Sequence, residues 1–388
     1  GFQSGMAVLV SQYWGRGDID NINRCIGVAL YAVTGFATAI SLITFFFPAQ
    51  VLGLITPNQA LIDLAVSYIQ IVGFSYIFNG ISSIYAGVQR STEYPAFGMF
   101  LFAISMCVNT FLNYVLIFGK FGAPELGVEG AAIATVISRY VELAIVAGWT
   151  HSHKARNAFI VGAYRSMYIP GKLLKSITVK GMPLLANEFL WSSGMAILNQ
   201  CYSTCGLDVV PAMNICSTLF NLGSVVYLSM GNSVGIIMGQ MLGAGHSEED
   251  VRDTNRKLIA ASIASGVVFG GLMAAVSEVF PGIYNTTDDV RHLAAQLIWI
   301  SAVMMPFGSY LNATYFTLRS GGQTFVTFLF DSCFTWAVSV PLAYGLSRFT
   351  GLNIVAIYLL VNGMDIVKCA IGFVLVKKGI WVKNIVKE

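Results

Sequence analysis

Apolar runs of about 20 residues follow one another along almost the whole chain, and each is long enough to cross the ~30 Å hydrocarbon core of a bilayer as a helix. Of the 388 residues, 56% are hydrophobic and only 11% are charged. An ordinary soluble domain has roughly 25% charged residues, so the composition argues strongly against a water-soluble fold. The sequence predicts an all-α membrane protein with about eleven transmembrane helices.

The apolar runs form two groups on either side of the longest polar stretch, which is rich in Lys, Arg and small polar residues. We divide the chain into an N-terminal lobe of five helices (1–151), a cytoplasmic linker (152–174) and a C-terminal lobe of six helices (175–388). The predicted helices lie near 2–15, 22–47, 61–88, 96–118, 127–150, 175–203, 209–241, 253–279, 290–317, 325–347 and 353–376.

The two groups of helices repeat each other. At an offset of 228 residues, the Q-x-x-G-x-G run beginning at Gln12 aligns with the run beginning at Gln240, and each run closes an apolar helix. The second group has one more helix at its start, so we expect the complete protein to have six helices plus six, with the first helix absent from this chain. An even number of helices per repeat gives parallel repeats, an architecture of secondary transporters.

Basic residues are distributed unevenly among the predicted loops. Most of the 22 Lys and Arg residues lie on the same side as Gln12, whereas Lys120, Arg291 and Arg348 lie on the opposite side. The positive-inside rule makes the first side cytoplasmic and places both termini of the full protein there. The basic residues form no patch of the kind that binds nucleic acid, so we expect no nucleic-acid partner.

Motifs for ATP hydrolysis, zinc proteolysis and α/β-hydrolase catalysis are absent from the sequence. The seven cysteines and four histidines show no metal-ligand or disulfide-framework spacing. We therefore expect a protein that is not an enzyme and that carries no cofactor and no resident metal.

Several motifs occur in the order and at the helices typical of one family. They are the segments Ser11–Asp18, Gly239–Gly245, Gly127–Thr135 and Lys180–Glu188. On these motifs the chain resembles the multidrug and toxic compound extrusion (MATE) family, in its bacterial form, over essentially its whole length. The resemblance implies a two-lobed, twelve-helix, cation-coupled exporter that opens alternately to either side of the membrane.

Glu188 is the strongest candidate for an ion-coupling residue. It lies about midway along the helix predicted at 175–203, with no basic residue one turn away, and an ionised side chain inside a membrane is a functional candidate by default. Pro183 precedes it and predicts a helix kink. The position matches the glutamate that MATE proteins carry in the first helix of the second lobe. Trp191 follows one turn later and is a candidate cavity aromatic, because aromatic faces attract organic cations.

Three further acids lie within predicted membrane helices, and we infer the role of each from the charged residues near it on the same helix. Asp331 has no adjacent base and is a second candidate for the coupling-ion or substrate site. Glu142 follows Arg139 by three residues, and Asp365 precedes Lys368 by three. Since residues three apart on a helix face each other, we predict two structural ion pairs, Arg139 with Glu142 and Asp365 with Lys368.

In the first half, Asn109 and Asn113 share one face of a helix, and Thr135 lies on the next helix. Side-chain oxygens of this kind suit a hard cation such as Na⁺. In many MATE proteins the matching positions carry Asn and Asp beside a Thr, completed by an Asp on the family's first helix; this chain departs from that pattern twice, with Asn113 in place of the acid and without that first helix. Inter-helix hydrogen bonding is the structural alternative.

The sequence thus predicts an antiporter that uses H⁺ or Na⁺ to export organic, mostly cationic drugs or toxic compounds. We expect a monomer in the bacterial inner membrane. The alternative is a flippase for a lipid-linked oligosaccharide, which should line its cavity with Arg or Lys to hold pyrophosphate. A membrane scaffold without transport activity is the third reading, and it would not need unpaired carboxylates.

Overall fold

The structure is a computed structural model that describes residues 2–53, 58–163 and 171–386, and its regular secondary structure in these ranges is entirely helical. The predicted linker falls partly outside the described residues. The helices are α1 (Phe2–Arg16), α2 (Ile19–Phe46), α3 (Pro48–Gly53), α4 (Gln59–Gly73), α5 (Ser75–Ser91), α6 (Pro95–Ile117), α7 (Gly127–Ser152), α8 (Gly171–Ser203), α9 (Val209–Ala244), α10 (Glu248–Ala275), α11 (Asp288–Ser320), α12 (Thr324–Phe328), α13 (Val340–Phe349) and α14 (Ile354–Lys378).

All eleven predicted helices are present, and the all-α membrane fold is confirmed. Among the described residues, eight spans are long and apolar enough to cross a membrane, or nine if the bent pair α4 and α5 forms one span. Two π-helical turns, Leu329–Cys333 and Thr335–Ser339, join α12 to α13 within a single span, Thr324–Phe349.

The predicted helix at 61–88 is broken, with a bend of 45° between α4 and α5. The Ser41 hydroxyl of α2 donates to the Gly73 carbonyl at 2.7 Å, and the Ser75 hydroxyl donates to the Val72 carbonyl at 2.7 Å. Hydroxyl groups that bond to helix carbonyls compete with the helical ladder and bend it. The break is therefore produced by serines and a close approach of α2, without a proline.

Chain contacts divide the protein into two compact units. One contains Gly17–Ile177, and the other contains Gln3–Arg16 together with the described chain from Thr178 onward. The lobe bounds predicted from the sequence stay a prediction, but α1 packs with the C-terminal helices. The contacts that α1 makes with α9 and with the segment after α14 explain why α1 groups with the C-terminal helices.

Helix α1 crosses α9 at a pair of glycines. A Cβ atom on Gly15 would collide with the Gln240 carbonyl oxygen, and a Cβ atom on Gly243 would collide with the Gln12 carbonyl oxygen. The two contacts are reciprocal in the alignment of the repeats, as expected for a two-fold relation. Small residues let the two backbones approach closely, so these glycines of the repeated motif are packing residues.

The C-terminal segment after α14 is bound to the same crossing. The Gln12 amide nitrogen donates to the carbonyl oxygens of Ser320 at 2.8 Å and Lys383 at 3.2 Å, and the Gln12 amide oxygen accepts from the Ile385 nitrogen at 2.9 Å. Gln12 and Trp381 are buried almost completely. The glutamine of the first motif therefore holds α1 to the end of the chain.

Candidate functional site

The C-terminal unit encloses a cavity of about 480 Å³ among α8, α9, α11, the π-helical turns and α14, which we call the C-terminal cavity. Five aromatic and four methionine side chains contribute to its wall, and amide, hydroxyl and charged side chains add polar groups. Its lining includes Trp191, Met195, Asn199, Tyr202, Phe220, Asn221, Tyr227, Met304, Met305, Tyr358, Asn362, Asp365 and Lys368. Apolar walls with a few polar groups are typical of sites for small organic molecules.

Among the described residues, Asp365 is the one acidic side chain in this lining. It is half-buried and receives no side-chain hydrogen bond or ion pair from the part of the chain that the structure describes. A carboxylate in this position can balance the positive charge of a bound organic cation, while aromatic faces contact its apolar and cationic parts.

The predicted ion pair between Asp365 and Lys368 is wrong. The Lys368 ammonium instead donates to Asp331 Oδ1 at 2.6 Å, across from α14 to the first π-helical turn. Lys368 is buried, and its Nζ also lies 5.4 Å from the centroid of the Phe330 ring. The lysine stem is long enough to reach the neighbouring span, so Asp365 is left facing the cavity.

Asp331 is held by two helices besides its own. Its second oxygen accepts a hydrogen bond from the Asn187 amide of α8 at 3.1 Å, and the Ser332 hydroxyl donates to Asn187 Oδ1 at 2.7 Å. Trp336, in the second π-helical turn, donates from its indole nitrogen to the Leu190 carbonyl at 2.8 Å. The π-helical turns thus present Asp331, Ser332 and Trp336 to α8, and turns of this kind occur frequently at functional sites.

Glu188 follows Asn187 on α8 but points the other way. The Glu188 side chain is exposed, whereas Asn187 is buried. Two residues of α11, Tyr315 and the buried Arg319, lie within electrostatic range of Glu188. Glu188 therefore has a basic residue nearby that its own helix does not supply.

The other two predicted positions on α8 differ in outcome. Trp191 lies in the wall of the C-terminal cavity, where the sequence places it. Pro183 lies inside α8, which runs as one helix from Gly171 to Ser203. The predicted kink at Pro183 stays a prediction.

In the N-terminal unit, Asn109 and Asn113 bond to each other, and Thr135 bonds within its own helix. The Asn113 amide donates to Asn109 Oδ1 at 3.0 Å, and the buried Oδ1 of Asn113 has no partner among the described residues. The Thr135 hydroxyl donates to the Ala131 carbonyl of its own helix at 2.9 Å. A cation site that combines all three residues stays a prediction.

The other predicted ion pair is present. Arg139 donates to Glu142 Oε2 at 2.6 Å, and the Ser105 hydroxyl of α6 donates to the same oxygen at 3.0 Å. Glu142 is 1% exposed. Through Ser105 the pair joins α7 to α6, and its structural role stays a prediction.

Sequence reasoning missed Asn187 and the true partner of Lys368. Asn187 precedes Glu188 in an apolar helix, and two adjacent polar residues in such a helix indicate a candidate site residue at either position. The partner of Lys368 lies 37 residues away along the chain, and only packing of the two spans reveals it.

The family model MatE matches residues 1–115 and 183–345, which together make up most of the chain. The chain belongs to the MatE family. It is 23% identical over 367 residues to a Bacillus subtilis protein named "Probable multidrug resistance protein YoeA", an alignment that covers 92% of this chain and 77% of that protein. The predicted family membership is thereby confirmed, and the chain is an integral membrane protein.

Solved structures show the same fold. The structure is similar to an outward-facing multidrug resistance MATE family transporter of the MOP superfamily, with a TM-score of 0.88 and 16% identity over 97% of this chain and 83% of that one. It is also similar to a mutant of the Vibrio cholerae MATE transporter VcmN, with a TM-score of 0.87 and 18% identity over 99% of this chain and 85% of that one. At such low identity the likeness establishes the fold alone.

Proposed function

We propose that this chain is a secondary-active antiporter that exports organic, mostly cationic drugs or toxic compounds in exchange for H⁺ or Na⁺. The C-terminal cavity is the observation that supports this most directly, because its aromatic and methionine wall contains the acidic Asp365. Relatives named as multidrug resistance proteins, among them the Bacillus subtilis protein YoeA, support it. The protein works as a monomer in the bacterial inner membrane, with both termini of the full protein in the cytoplasm.

Glu188 is the proposed coupling residue. Its carboxylate is exposed and therefore accessible to the coupling ion, whereas Glu142 is buried and paired with Arg139. Arg319 and Tyr315 lie close enough to respond to its charge. Loading of Glu188 would then change the electrostatic balance next to the Asp331 network through Asn187 and Tyr315, since the Asn187 amide is 3.4 Å from the Tyr315 hydroxyl.

Glu188→Gln should abolish coupling, because glutamine keeps the shape of the side chain but cannot carry the charge that binds the ion. The full-length protein, purified into vesicles, would be assayed for movement of a fluorescent organic cation under an imposed H⁺ or Na⁺ gradient. We expect gradient-driven transport to fall at least tenfold, which corresponds to about 1.4 kcal/mol.

The control is Glu249→Gln, which removes an exposed acid from the first turn of α10, outside the cavity. It should transport like the wild type. Transport by Glu188→Gln at the wild-type rate under both gradients would contradict the coupling role. Failure of the folded wild type to move the dye under either gradient would contradict the antiporter proposal and direct attention to lipid-linked substrates.

Asp365→Asn should weaken substrate binding rather than coupling. Because Asp365 is the only acid in the described cavity wall, its loss should raise the apparent Kd for a monovalent organic cation about tenfold, or about 1.4 kcal/mol. Binding can be followed by fluorescence polarisation of the dye in detergent. Asp208→Asn, which neutralises an acid just before α9 and outside the wall, is the matched control. Equal weakening for an uncharged ligand would show that the change acts on cavity shape and not on charge.

A further inference from the structure

The C-terminal unit has a second concave site, between α10 and α14 and over α11. It has a volume of about 430 Å³, and we call it the α10–α14 groove. Ile259 and Ile263 of α10 form one wall, Phe373 and Val376 of α14 form the other, and Tyr310 of α11 lies between them. The groove shares none of its lining with the C-terminal cavity, and the proposed transport mechanism does not use it.

Basic side chains surround one end of the groove. Arg252 and Arg256 of α10 and Lys377 of α14 line it, and no carboxylate does so among the described residues. Arg252 also links the two helices, since it pairs with Glu248 on α10 at 2.6 Å and donates to the Lys377 carbonyl at 3.1 Å. The groove therefore has a fixed positive end.

Two of these cations are available for a ligand. Arg256 is exposed and has no ion pair in the part of the chain that the structure describes. The Nζ atom of Lys377 lies 5.9 Å from the centroid of the Phe373 ring and likewise has no carboxylate partner there. The nearby Asp253 is already paired with Lys257 at 2.6 Å.

Polarity changes along the groove in the same direction on both helices. On α10, the spacing of Arg252, Arg256, Ile259 and Ile263 puts all four on one helix face. The distance from Arg256 to Ile263 is about 10 Å along the helix. On α14, Phe373 lies one turn from Lys377, toward the apolar part of the groove. A ligand that fits must carry a negative group at one end and an apolar chain of about this length next to it.

We propose that the α10–α14 groove binds an anionic phospholipid. The lipid phosphate contacts Arg256 and Lys377, and one acyl chain lies along Ile259, Ile263 and Phe373. Basic pockets between transmembrane helices on the cytoplasmic side bind anionic head groups, and the excess of basic loops assigns this end of α10 and α14 to the cytoplasmic leaflet. The bound lipid bridges two helices that both pack on α11, so it stabilises the C-terminal unit.

The test uses the full-length protein, delipidated in an uncharged detergent and titrated with phosphatidylglycerol or phosphatidylcholine. Native mass spectrometry counts the retained lipids, and thermal unfolding measures the rise in Tm that a ligand of the folded state must produce. We expect phosphatidylglycerol, but not phosphatidylcholine, to give one retained lipid and a higher Tm. Arg256→Gln combined with Lys377→Gln should weaken this binding at least tenfold.

Lys378→Gln is the matched control, because it removes the same charge from the residue next to Lys377 without changing the groove lining. It should bind phosphatidylglycerol within about twofold of the wild type. Ala260→Trp fills the apolar part of the groove and leaves every basic residue in place. It should lose the lipid as completely as the charge variant does.

Three results would overturn the proposal. Equal weakening by Lys378→Gln would show diffuse surface electrostatics, and full retention of lipid by Ala260→Trp would show that no acyl chain occupies the groove. Complete displacement of the lipid by an equal concentration of inorganic phosphate would show that the site recognises phosphate and not a phospholipid. Variants are compared only when their Tm without lipid matches that of the wild type; if Ala260→Trp fails this condition, Ala260→Leu replaces it and must weaken binding in the same direction.

Discussion

Lys368→Met is expected to lower the free energy of unfolding by about 3–5 kcal/mol, because it leaves a largely buried carboxylate without its counter-ion. The side chains of Lys368 and Asp331 are only 10% and 21% exposed, and their charged atoms are 2.6 Å apart. Methionine fills a similar volume, so the effect reports the lost charge and not a cavity. Thermal unfolding of the purified protein in detergent measures it as a lower Tm.

The pair Lys257 and Asp253 gives a matched control for this prediction. Its charged atoms are also 2.6 Å apart, but its side chains are 75% and 55% exposed. Exposed pairs contribute about 0–1 kcal/mol, so Lys257→Met should leave the Tm almost unchanged. Equal losses of stability in Lys257→Met and Lys368→Met would contradict the inference that burial makes removal of Lys368 from its pair with Asp331 more costly.

The double variant Lys368→Met and Asp331→Asn separates stability from function. Removing both charges of a buried pair costs much less than removing one, so the double variant should recover most of the lost stability. Asparagine can still accept the hydrogen bond from Asn187 at the position of Asp331 Oδ2. If the folded double variant transports normally, the pair is purely structural; if it is folded and inactive, the charges take part in transport.

The amino-acid sequence alone could predict the helices, because the apolar runs and their polar interruptions are local features. The ends of α9 and α14, for example, coincide with Gly245 and Gly379 in the left-handed conformation that commonly ends a helix. It could also predict the repeat, since the motifs at Gln12 and Gln240 are visible without any structure. The pair formed by Arg139 and Glu142 follows from spacing on one helix.

The same spacing rule failed for Lys368, and the failure has a physical cause. A rule for residues three apart describes one isolated helix, whereas the energy of a buried charge depends on every helix packed around it. Asp331 lies across from α14, where the Asn187 amide of α8 also holds its carboxylate, so packing of the neighbouring spans gives Lys368 a partner that its own helix does not show. For the same reason the exposure of Glu188 could not be read from the apolar residues on either side of it.

Gly243→Ala is expected to destabilise the protein by about 1–3 kcal/mol, although alanine is the better helix former. The added methyl group would collide with the backbone carbonyl of Gln12, which cannot move away as a side chain could. Gly15→Ala should have the same effect through the Gln240 carbonyl. Gly271→Ala is the control, since open space surrounds that position on α10; there the substitution should leave the Tm unchanged or raise it slightly.

Because the contacts of Gly15 and Gly243 are reciprocal, we expect their substitutions to have non-additive effects in the double variant. Either methyl group must push α1 away from α9, and once the helices have separated the second methyl group meets less resistance. The combined loss for Gly15→Ala with Gly243→Ala should therefore be smaller than the sum of the two single losses, by an amount in the range of about 0.5–3 kcal/mol found for residues that share one contact. If the two losses of unfolding free energy add exactly, the structure around each glycine adjusts independently. The two copies of the repeated motif would then not act as one shared contact.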